Sequence, residues 1–307
     1  MTAPHYRLPQ SILWLLALLT LFWGFNWPVV KTVLTAMSPL HFRSWGLAVG
    51  AASLFAMARL GGLRIRVPRG AWGRLVTISM FNIGAWNTFT AYGIPLMDSG
   101  RAATLAYTFP VFGVLFSLWL LKERLTLRRG AGLVLGIAGL ALLMGSELTA
   151  VGRSPLGALL LLGSAVSWAL GTVVMKRWPV DLPTTSFAAW QMALAFVPIF
   201  LCAAFFERGG LSPLLLPLWP FLGFLFSVFV CCGFCYWAWF KIAAIAPVTI
   251  SSLSTLMIPV VGVFSGMLVL SERPQWTDYA ALVLVIAALA SVLIPPRAAA
   301  QVGKAGV

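Results

Sequence analysis

The chain has 307 residues, of which 61% are hydrophobic and only 9% carry a charge. A soluble domain carries roughly a quarter charged residues, so this composition cannot cover a folded domain with a water-facing surface. The sequence therefore predicts an integral membrane protein. The four cysteines all lie in apolar runs, which excludes a disulfide framework of the kind found in small secreted domains.

Apolar segments of about 20 residues, the length that crosses the hydrocarbon core of a bilayer, recur ten times with short connections between them. We place them at 12–34, 40–59, 73–95, 99–121, 130–147, 156–176, 184–206, 219–243, 247–270 and 277–295. The predicted fold class is an all-α membrane protein with ten transmembrane helices.

Two parts of the sequence occur twice. The stretch PVFGVLFSLWLLKER (110–124) is repeated as PVVGVFSGMLVLSER (259–273), with 149 residues between equivalent positions. The stretch WGFNWPVVK (23–31) is repeated as WALGTVVMK (168–176), with 145 residues between equivalent positions. A period of this length indicates the duplication of a whole substructure.

The number of spans in each copy determines how the two copies are related. After five crossings the chain is on the opposite face of the membrane, so the second copy must be inserted upside down. We divide the chain into a first five-helix repeat at 1–149, a second, inverted repeat at 150–296 and a tail at 297–307. Many secondary transporters have inverted repeats, with the substrate site near the midplane between them. The expected molecule is a carrier with a central cavity.

The placement of the basic residues predicts the orientation of the chain. With the N-terminus in the cytoplasm, 15 Lys and Arg residues fall on the cytoplasmic side and 6, Arg43 among them, on the other side. This is the bias expected of the positive-inside rule. Both termini are therefore predicted to be cytoplasmic, and the net charge of +14 is a signal of topology that gives no reason to expect a nucleic-acid partner. The expected partners are a small-molecule substrate and membrane lipid, with the chain acting as a monomer.

Several of these patterns resemble EamA-type permeases of the drug/metabolite transporter superfamily. They are the first-helix pattern from Trp23 to Lys31, the run AYGIPLMDSGRAATLAYTFPVFGVL (91–115) and the doubled signature from Pro to Glu-Arg. The tryptophan-rich helices are similar to those of bacterial exporters of aromatic and other neutral amino acids. The resemblance implies export by alternating access across the bacterial inner membrane, with a drug or other metabolite as the alternative substrate. The second copy departs from the pattern, because Ala169 stands where the first copy has Gly24.

Uncharged polar residues lie beside aromatic residues on the same face of several predicted helices. Trp23 and Asn26 are three residues apart, and Asn82 and Trp86 are four apart. This mixture suits a ligand with an apolar body and a few hydrogen-bonding ends, such as an amino-acid zwitterion. Packing between helices is the alternative role for such polar residues. The candidate substrate-binding residues are Trp23, Asn26, Asn82, Trp86, Tyr107, Trp168, Thr172, Ser251 and Ser254.

Pro110 and Pro259 occupy equivalent positions inside the fourth and ninth spans. A proline inside a helix removes a backbone hydrogen bond and kinks the helix. We interpret the pair as hinges that bend during transport. A static kink that shapes helix packing is the alternative.

Four charged residues at span ends are candidates for gates. Lys31 and Glu272 both fall at the predicted outer face, whereas Lys176 and Glu123 both fall at the predicted inner face. Each pair would form a latch that closes when the other opens. Alternatively, each residue is an anchor that reaches for water at its own span end.

The spans hold few groups that could do chemistry. None of the seven acidic residues falls near a span centre, and the middle of the spans holds no Lys or Arg. Proton-coupled carriers hold carboxylates or His within the membrane, so we expect facilitative transport, and we do not expect a phosphate-bearing substrate. The two His are far apart, which argues against a membrane enzyme. Cys232 and Cys235 have a metal-like spacing but no further ligands nearby, so neither a metal nor a cofactor is expected. A channel remains as a distant alternative.

Overall fold

A computed structural model describes residues 10–122, 127–149, 155–207, 212–238 and 248–293. Nearly all of these residues are helical, and no β-strand occurs among them. The helices form ten spans in the predicted order, five in each repeat, so the predicted fold class is confirmed.

The first repeat contains spans 1 to 5. Their bounds are Gln10–Val33 (span 1), Pro39–Leu60 (span 2), Trp72–Ser79 with Met80–Ala85 and Trp86–Gly93 (span 3), Ser99–Ala106 with Phe109–Leu120 (span 4), and Leu127–Thr149 (span 5).

The second repeat contains spans 6 to 10. Their bounds are Pro155–Arg177 (span 6), Thr184–Phe206 (span 7), Leu218–Leu225 with Phe226–Cys235 (span 8), Val248–Leu270 (span 9) and Trp276–Leu293 (span 10).

The outside of this bundle is apolar. Bulky side chains such as Trp119, Phe205 and Leu268 are 73%, 80% and 85% exposed. An apolar surface of this extent marks a membrane-facing molecule. Among the described helices, five are long and apolar enough to cross a membrane by length and composition: Trp14–Val33, Ser99–Leu120, Pro155–Arg177, Thr184–Phe206 and Leu218–Ala238.

The two repeats share backbone features that a hydropathy pattern does not reveal. Spans 3 and 8, the third spans of their repeats, each contain a π-helical segment, at Met80–Ala85 and Phe226–Cys235. Lys122 and Ser271, which are equivalent, both have a φ of 54°, a left-handed conformation that is uncommon for a residue with a side chain. The duplication therefore extends to local backbone geometry.

Equivalent spans also pack on each other. Span 2 packs against span 7, and span 5 packs against span 10. Another pair of contacts between the repeats is reciprocal: span 1 packs along span 9, and span 6 packs along the second part of span 4. This arrangement is what a pseudo-two-fold axis between inverted repeats requires.

The fourth and ninth spans differ despite their shared motif. Span 4 is interrupted by a turn at Tyr107 and Thr108, whereas span 9 continues through Pro259 as one helix. In span 4 the interruption places Pro110 in the first turn of the second piece, where a missing N–H costs no helical hydrogen bond. The two predicted hinge prolines thus occupy different local structures, and their role as hinges stays a prediction.

Candidate substrate site and gate

A narrow cavity lies between the two repeats. It is bordered by spans 1, 2 and 3 of the first repeat and by spans 7 and 8 of the second. Its volume is about 30 Å³, enough for roughly two water molecules. The lining residues are Asn26, Phe42, Arg43, Gly46, Leu47, Asn87, Met192, Ser227, Val228, Cys232 and Tyr236.

Arg43 is the charged residue of this cavity. It lies in the first turns of span 2, and its Nη2 donates a hydrogen bond of 3.1 Å to the hydroxyl oxygen of Thr90. Its guanidinium also lies 5.3 Å from the centre of the Phe42 ring, a favourable contact between a cation and an aromatic ring. The expectation that no cation would reach the cavity is therefore wrong: Arg43 is close to a span end in sequence, but its side chain lines the cavity.

Amides and hydroxyls supply the other polar groups around the cavity. Ser227 donates a 2.7 Å hydrogen bond to the side-chain oxygen of Asn26, which links spans 8 and 1. The side-chain NH2 of Asn87 donates to the carbonyl of Ile83 at 2.8 Å. Asn26 is the predicted substrate residue that lines the cavity directly.

Trp23 lies next to the cavity without lining it. Its indole N–H donates to the carbonyl of Cys231 at 3.3 Å, within the π-helical segment of span 8. Its ring also meets the ring of Tyr236 edge-on, with the centroids 5.6 Å apart. Because Tyr236 does line the cavity, Trp23 supports one of its walls.

Three of the predicted aromatic residues belong to a separate cluster. The rings of Trp86 and Trp168 are 5.0 Å apart, and Trp168 lies 6.3 Å from Phe109. Phe109 is 5.9 Å from Tyr107, and Tyr107 is 6.4 Å from Trp27. This aromatic cluster surrounds the interruption of span 4. Thr90 connects it with the cavity, since its hydroxyl accepts from Arg43 and donates to the carbonyl of Trp86 at 2.8 Å.

The remaining candidates lie elsewhere. Asn82 is buried in the π-helical segment of span 3, and its side-chain oxygen has no hydrogen-bond partner among the described residues. Thr172 is exposed, and its hydroxyl donates to the carbonyl of Trp168 one turn earlier at 2.8 Å. The side chains of Ser251 and Ser254 lie outside the described part of the chain.

One end of the bundle, which we call the Lys31 end, is held together by Lys31, Asp98 and Glu272. The Lys31 Nζ lies 2.9 Å from Glu272 Oε1 and 3.9 Å from Asp98 Oδ1. Glu272 also accepts hydrogen bonds from the backbone N–H of Ser99, at 2.8 and 2.9 Å, and from its hydroxyl at 2.8 Å. A carboxylate at the start of a helix satisfies free N–H groups and interacts favourably with the helix dipole. This Lys31 network thus joins spans 1, 4 and 9.

Asp98 differs from Glu272 because it is about half exposed and makes no capping hydrogen bond to span 4. Partial burial raises the pKa of Asp98 above its ordinary value, and the nearby Glu272 carboxylate adds to the effect, while Lys31 opposes it. Ionisation of Asp98 therefore costs more free energy in this position than in water.

Two further contacts close the Lys31 end. Glu207, just after span 7, accepts hydrogen bonds from the backbone N–H groups of Leu40 and His41 and, at 2.8 Å, from the hydroxyl of Tyr92. Arg101 and Asp278 form a buried ion pair between spans 4 and 10. In three places, therefore, an acidic residue of the second repeat holds a helix of the first.

The opposite end, the Lys176 end, has one counterpart contact among the described residues. Arg64 and Asp181 form an ion pair of 2.7 Å between two loops, with side chains 50% and 88% exposed. Lys176 is exposed at the end of span 6. Glu123, its predicted partner, lies outside the described residues, so the second latch stays a prediction.

Sequence reasoning missed Arg43 as a cavity residue. A signal was present, because an arginine within an apolar span is costly unless it faces the interior of the bundle. Position 43 lies inside the predicted second span. In the described part of the chain, no three His, Cys, Asp or Glu residues come close enough together to hold a metal ion.

Comparisons with known proteins agree with this architecture. The EamA-like transporter family matches residues 10–145 and 155–294, one match for each repeat. The chain is 25% identical to a probable amino-acid metabolite efflux pump of Escherichia coli, over 89% of this chain and 91% of that protein. It is 28% identical to the aromatic amino acid exporter YddG of Ancylobacter novellus, over 56% of this chain and 60% of that protein. A crystal structure that is 22% identical and covers 97% of the chain superposes with a TM-score of 0.66, which shows the shared fold.

Proposed function

The chain belongs to the EamA-like transporter family, and from this premise we propose that it exports aromatic and other neutral amino acids across a bacterial inner membrane by alternating access. The observation that carries the proposal is the cavity between the inverted repeats, where Asn26, Arg43 and Asn87 lie among apolar lining residues. Relatives named as an amino-acid metabolite efflux pump and an aromatic amino acid exporter support the choice of substrate.

The chemistry around the cavity suits this class of substrate. Asn26, Asn87 and Arg43 supply hydrogen bonds and one positive charge, while the aromatic cluster lies one hydrogen-bonded step away through Thr90. An aromatic amino acid has a zwitterionic end for the polar groups and a ring for the apolar ones. The cavity is too small for such a molecule in this arrangement, so binding requires the spans around it to separate.

In the proposed cycle the Lys31 network is the closed gate. Glu272 must release both Lys31 and the start of span 4 before the cavity can open toward that end. The turn at Tyr107 and Thr108, next to Pro110, lies where the second part of span 4 can swing against the first. Pro259 would allow the equivalent bend in span 9.

The proposed transport is facilitative. The ionised groups at the Lys31 end already have partners that fix the helices in place, and the cavity-lining residues include no carboxylate that could relay a proton. Transport would then follow the gradient of the substrate alone.

Counter-flow in proteoliposomes tests the proposal. Vesicles loaded with one unlabelled amino acid should accumulate the same labelled amino acid transiently, in a saturable manner, with aromatic residues among the best of the twenty. Dissipating a proton gradient at a fixed substrate gradient should leave the rate unchanged. Counter-flow of a drug but of no amino acid would support the alternative substrate class. A flux that neither saturates nor responds to substrate inside the vesicle would indicate a channel and contradict a carrier.

A further inference from the structure

Arg43 is a cation that has no anionic partner among the described residues. Thr90 supplies its hydrogen bond and Phe42 its ring contact, both from uncharged groups. The Nε of its guanidinium is buried and has no hydrogen-bond partner among the described residues. The guanidinium therefore has an N–H group for which the described residues supply no acceptor.

The described acidic side chains are engaged elsewhere. Each contacts a basic residue other than Arg43: Glu272 and Asp98 both contact Lys31, Glu207 contacts His41, Asp278 contacts Arg101 and Asp181 contacts Arg64. Glu123 and the side chain of Glu147 lie outside the described part of the chain. No ion pair joins Arg43 to any described carboxylate.

A charge that is removed from water and left unpaired destabilises the fold strongly. Arg43 lines the cavity, so a ligand in the cavity could supply the missing negative charge. We infer that Arg43 binds the carboxylate of the transported substrate, an inference that rests on the proposed function. Arginine suits this role because its planar fork matches the two oxygens of a carboxylate.

The number of charges in the cavity favours one carboxylate over a phosphate group. Arg43 alone among the lining residues carries a charge, and a phosphate with two negative charges would leave one uncompensated in a narrow space. Asn87 offers a binding group for the ammonium end of a zwitterion. Its NH2 donates to Ile83, which leaves its carbonyl oxygen as an acceptor for an ammonium group.

A competition series in counter-flow tests the inference. Phenylalanine is compared with phenylalaninamide and phenethylamine, which lack the carboxylate, in the wild type, in Arg43→Gln and in Arg43→Lys. The wild type should bind phenylalanine at least tenfold better than its amide. Arg43→Gln should raise the KM of phenylalanine at least tenfold and leave that of the amide unchanged, because a charge-assisted hydrogen bond is lost. The ratio of the KM of the amide to the KM of phenylalanine should therefore fall in Arg43→Gln. Arg43→Lys should give a ratio between those of the wild type and Arg43→Gln.

Arg74→Gln is the matched control, because Arg74 is an exposed arginine near the opposite end of span 3 from Thr90. It should keep the wild-type ratio. If Arg43→Gln does not fold, Thr90→Val is the second variant, since it keeps the charge and removes the oxygen that orients it; its ratio should fall by a smaller factor. An unchanged ratio in both Arg43→Lys and Thr90→Val overturns the inference.

Thermal stabilisation of the purified full chain separates this inference from the proposed function. Stabilisation by phenylalanine in the wild type but not in Arg43→Gln supports the inference. If no amino acid is transported but another carboxylate stabilises the protein in an Arg43-dependent way, the proposed function fails and the inference stands. If amino acids are transported and the ratio of the two KM values is unchanged in Arg43→Gln, the proposed function stands and the inference fails. Stronger stabilisation by inorganic phosphate than by any carboxylate would overturn the choice of ligand.

Discussion

Gly262 and Gly113 occupy equivalent positions in the two repeats, but only Gly262 is tightly packed. A Cβ atom added to Gly262 would lie 3.0 Å from the Cβ of Ala103, whereas one added to Gly113 would meet nothing within 4 Å. The partner helices show the same contrast. A Cβ on Gly24 would lie 2.4 Å from the Cβ of Val261, while Ala169, the equivalent of Gly24, already carries one.

This contrast shows that the two copies of the motif are packed unequally. Spans 1 and 9 meet closely next to the Lys31 network, and the equivalent contact of spans 6 and 4 is looser around Gly113. Two near-equivalent halves held in unequal arrangements are what alternating access requires, because exchanging the arrangements would move the opening from one face to the other. Three kinds of substitution test this comparison of the two repeats. They change the Lys31 network, the glycines of the two motifs and the carboxylate of Asp98.

The largest effect is expected from Glu272→Gln. The substitution leaves the partly buried Lys31 without its closest anion and weakens the cap on span 4. Breaking a fully buried pair costs roughly 3–5 kcal/mol, and because Lys31 is 24% exposed we expect about 2 kcal/mol here. The midpoint of thermal unfolding in detergent should fall by about 4–8 °C.

Asp181→Asn is the control for the other end of the bundle. It removes the partner of Arg64 in a pair whose side chains are 50% and 88% exposed. An exposed pair contributes less than about 1 kcal/mol, so the midpoint should change by less than about 2–4 °C. Equal losses in the two variants would contradict the view that the Lys31 end is the closed gate.

A comparable or smaller effect is expected from adding one methyl group to the glycines. Gly24→Ala places its Cβ against Val261 and the carbonyl of Ile258, so spans 1 and 9 must move apart at a cost of about 1–3 kcal/mol. Gly262→Ala should cost less, because its nearest contact of 3.0 Å needs only a small shift. Thermal unfolding of the purified variants measures both.

Gly113→Ala is the matched control, and it should leave the stability unchanged or raise it slightly, because alanine is the better helix former. If Gly113→Ala proved as damaging as Gly24→Ala, the two helix contacts would be equally tight and the inequality of the repeats would be contradicted.

The architecture could be predicted from the sequence because it depends on long patterns. Ten apolar segments of membrane-crossing length and a repeat of about 150 residues determine the number of spans and the inversion of the second repeat. The resemblance to EamA-type permeases is confirmed by a family match over each repeat. The contact of Lys31 with Glu272 was also accessible, because both residues lie at span ends on the same predicted face.

The site was harder to predict because it depends on how individual side chains turn. Arg43 lies near the outer end of the predicted second span and was counted with the basic residues of the outer face, yet the direction of its side chain from span 2 places it in the cavity. The π-helical segments rotate the residues that follow them, so the 3.6-residue spacing used to group Asn82 with Trp86 does not hold across Met80–Ala85. Tyr107 was expected inside a continuous helix and instead lies in the turn that interrupts span 4.

The smallest change in stability is expected from Asp98→Asn. It should stabilise the fold, whereas Glu272→Gln should destabilise it. The pKa of Asp98 is raised in the folded protein, so the folded state binds the proton more tightly than the unfolded state, and ionisation destabilises the fold as the pH rises above the ordinary value of 3.8. Asp98→Asn should therefore stabilise the protein at pH 7, by less than about 0.5 kcal/mol because the side chain is half exposed. The gain should shrink as the pH falls and vanish only below about pH 3, where the wild-type carboxyl is protonated in both states. Unfolding midpoints measured from about pH 3 to pH 7 check this. A loss of stability at pH 7 would mean that attraction to Lys31 outweighs the cost of burial, and the two carboxylates beside Lys31 would then act alike.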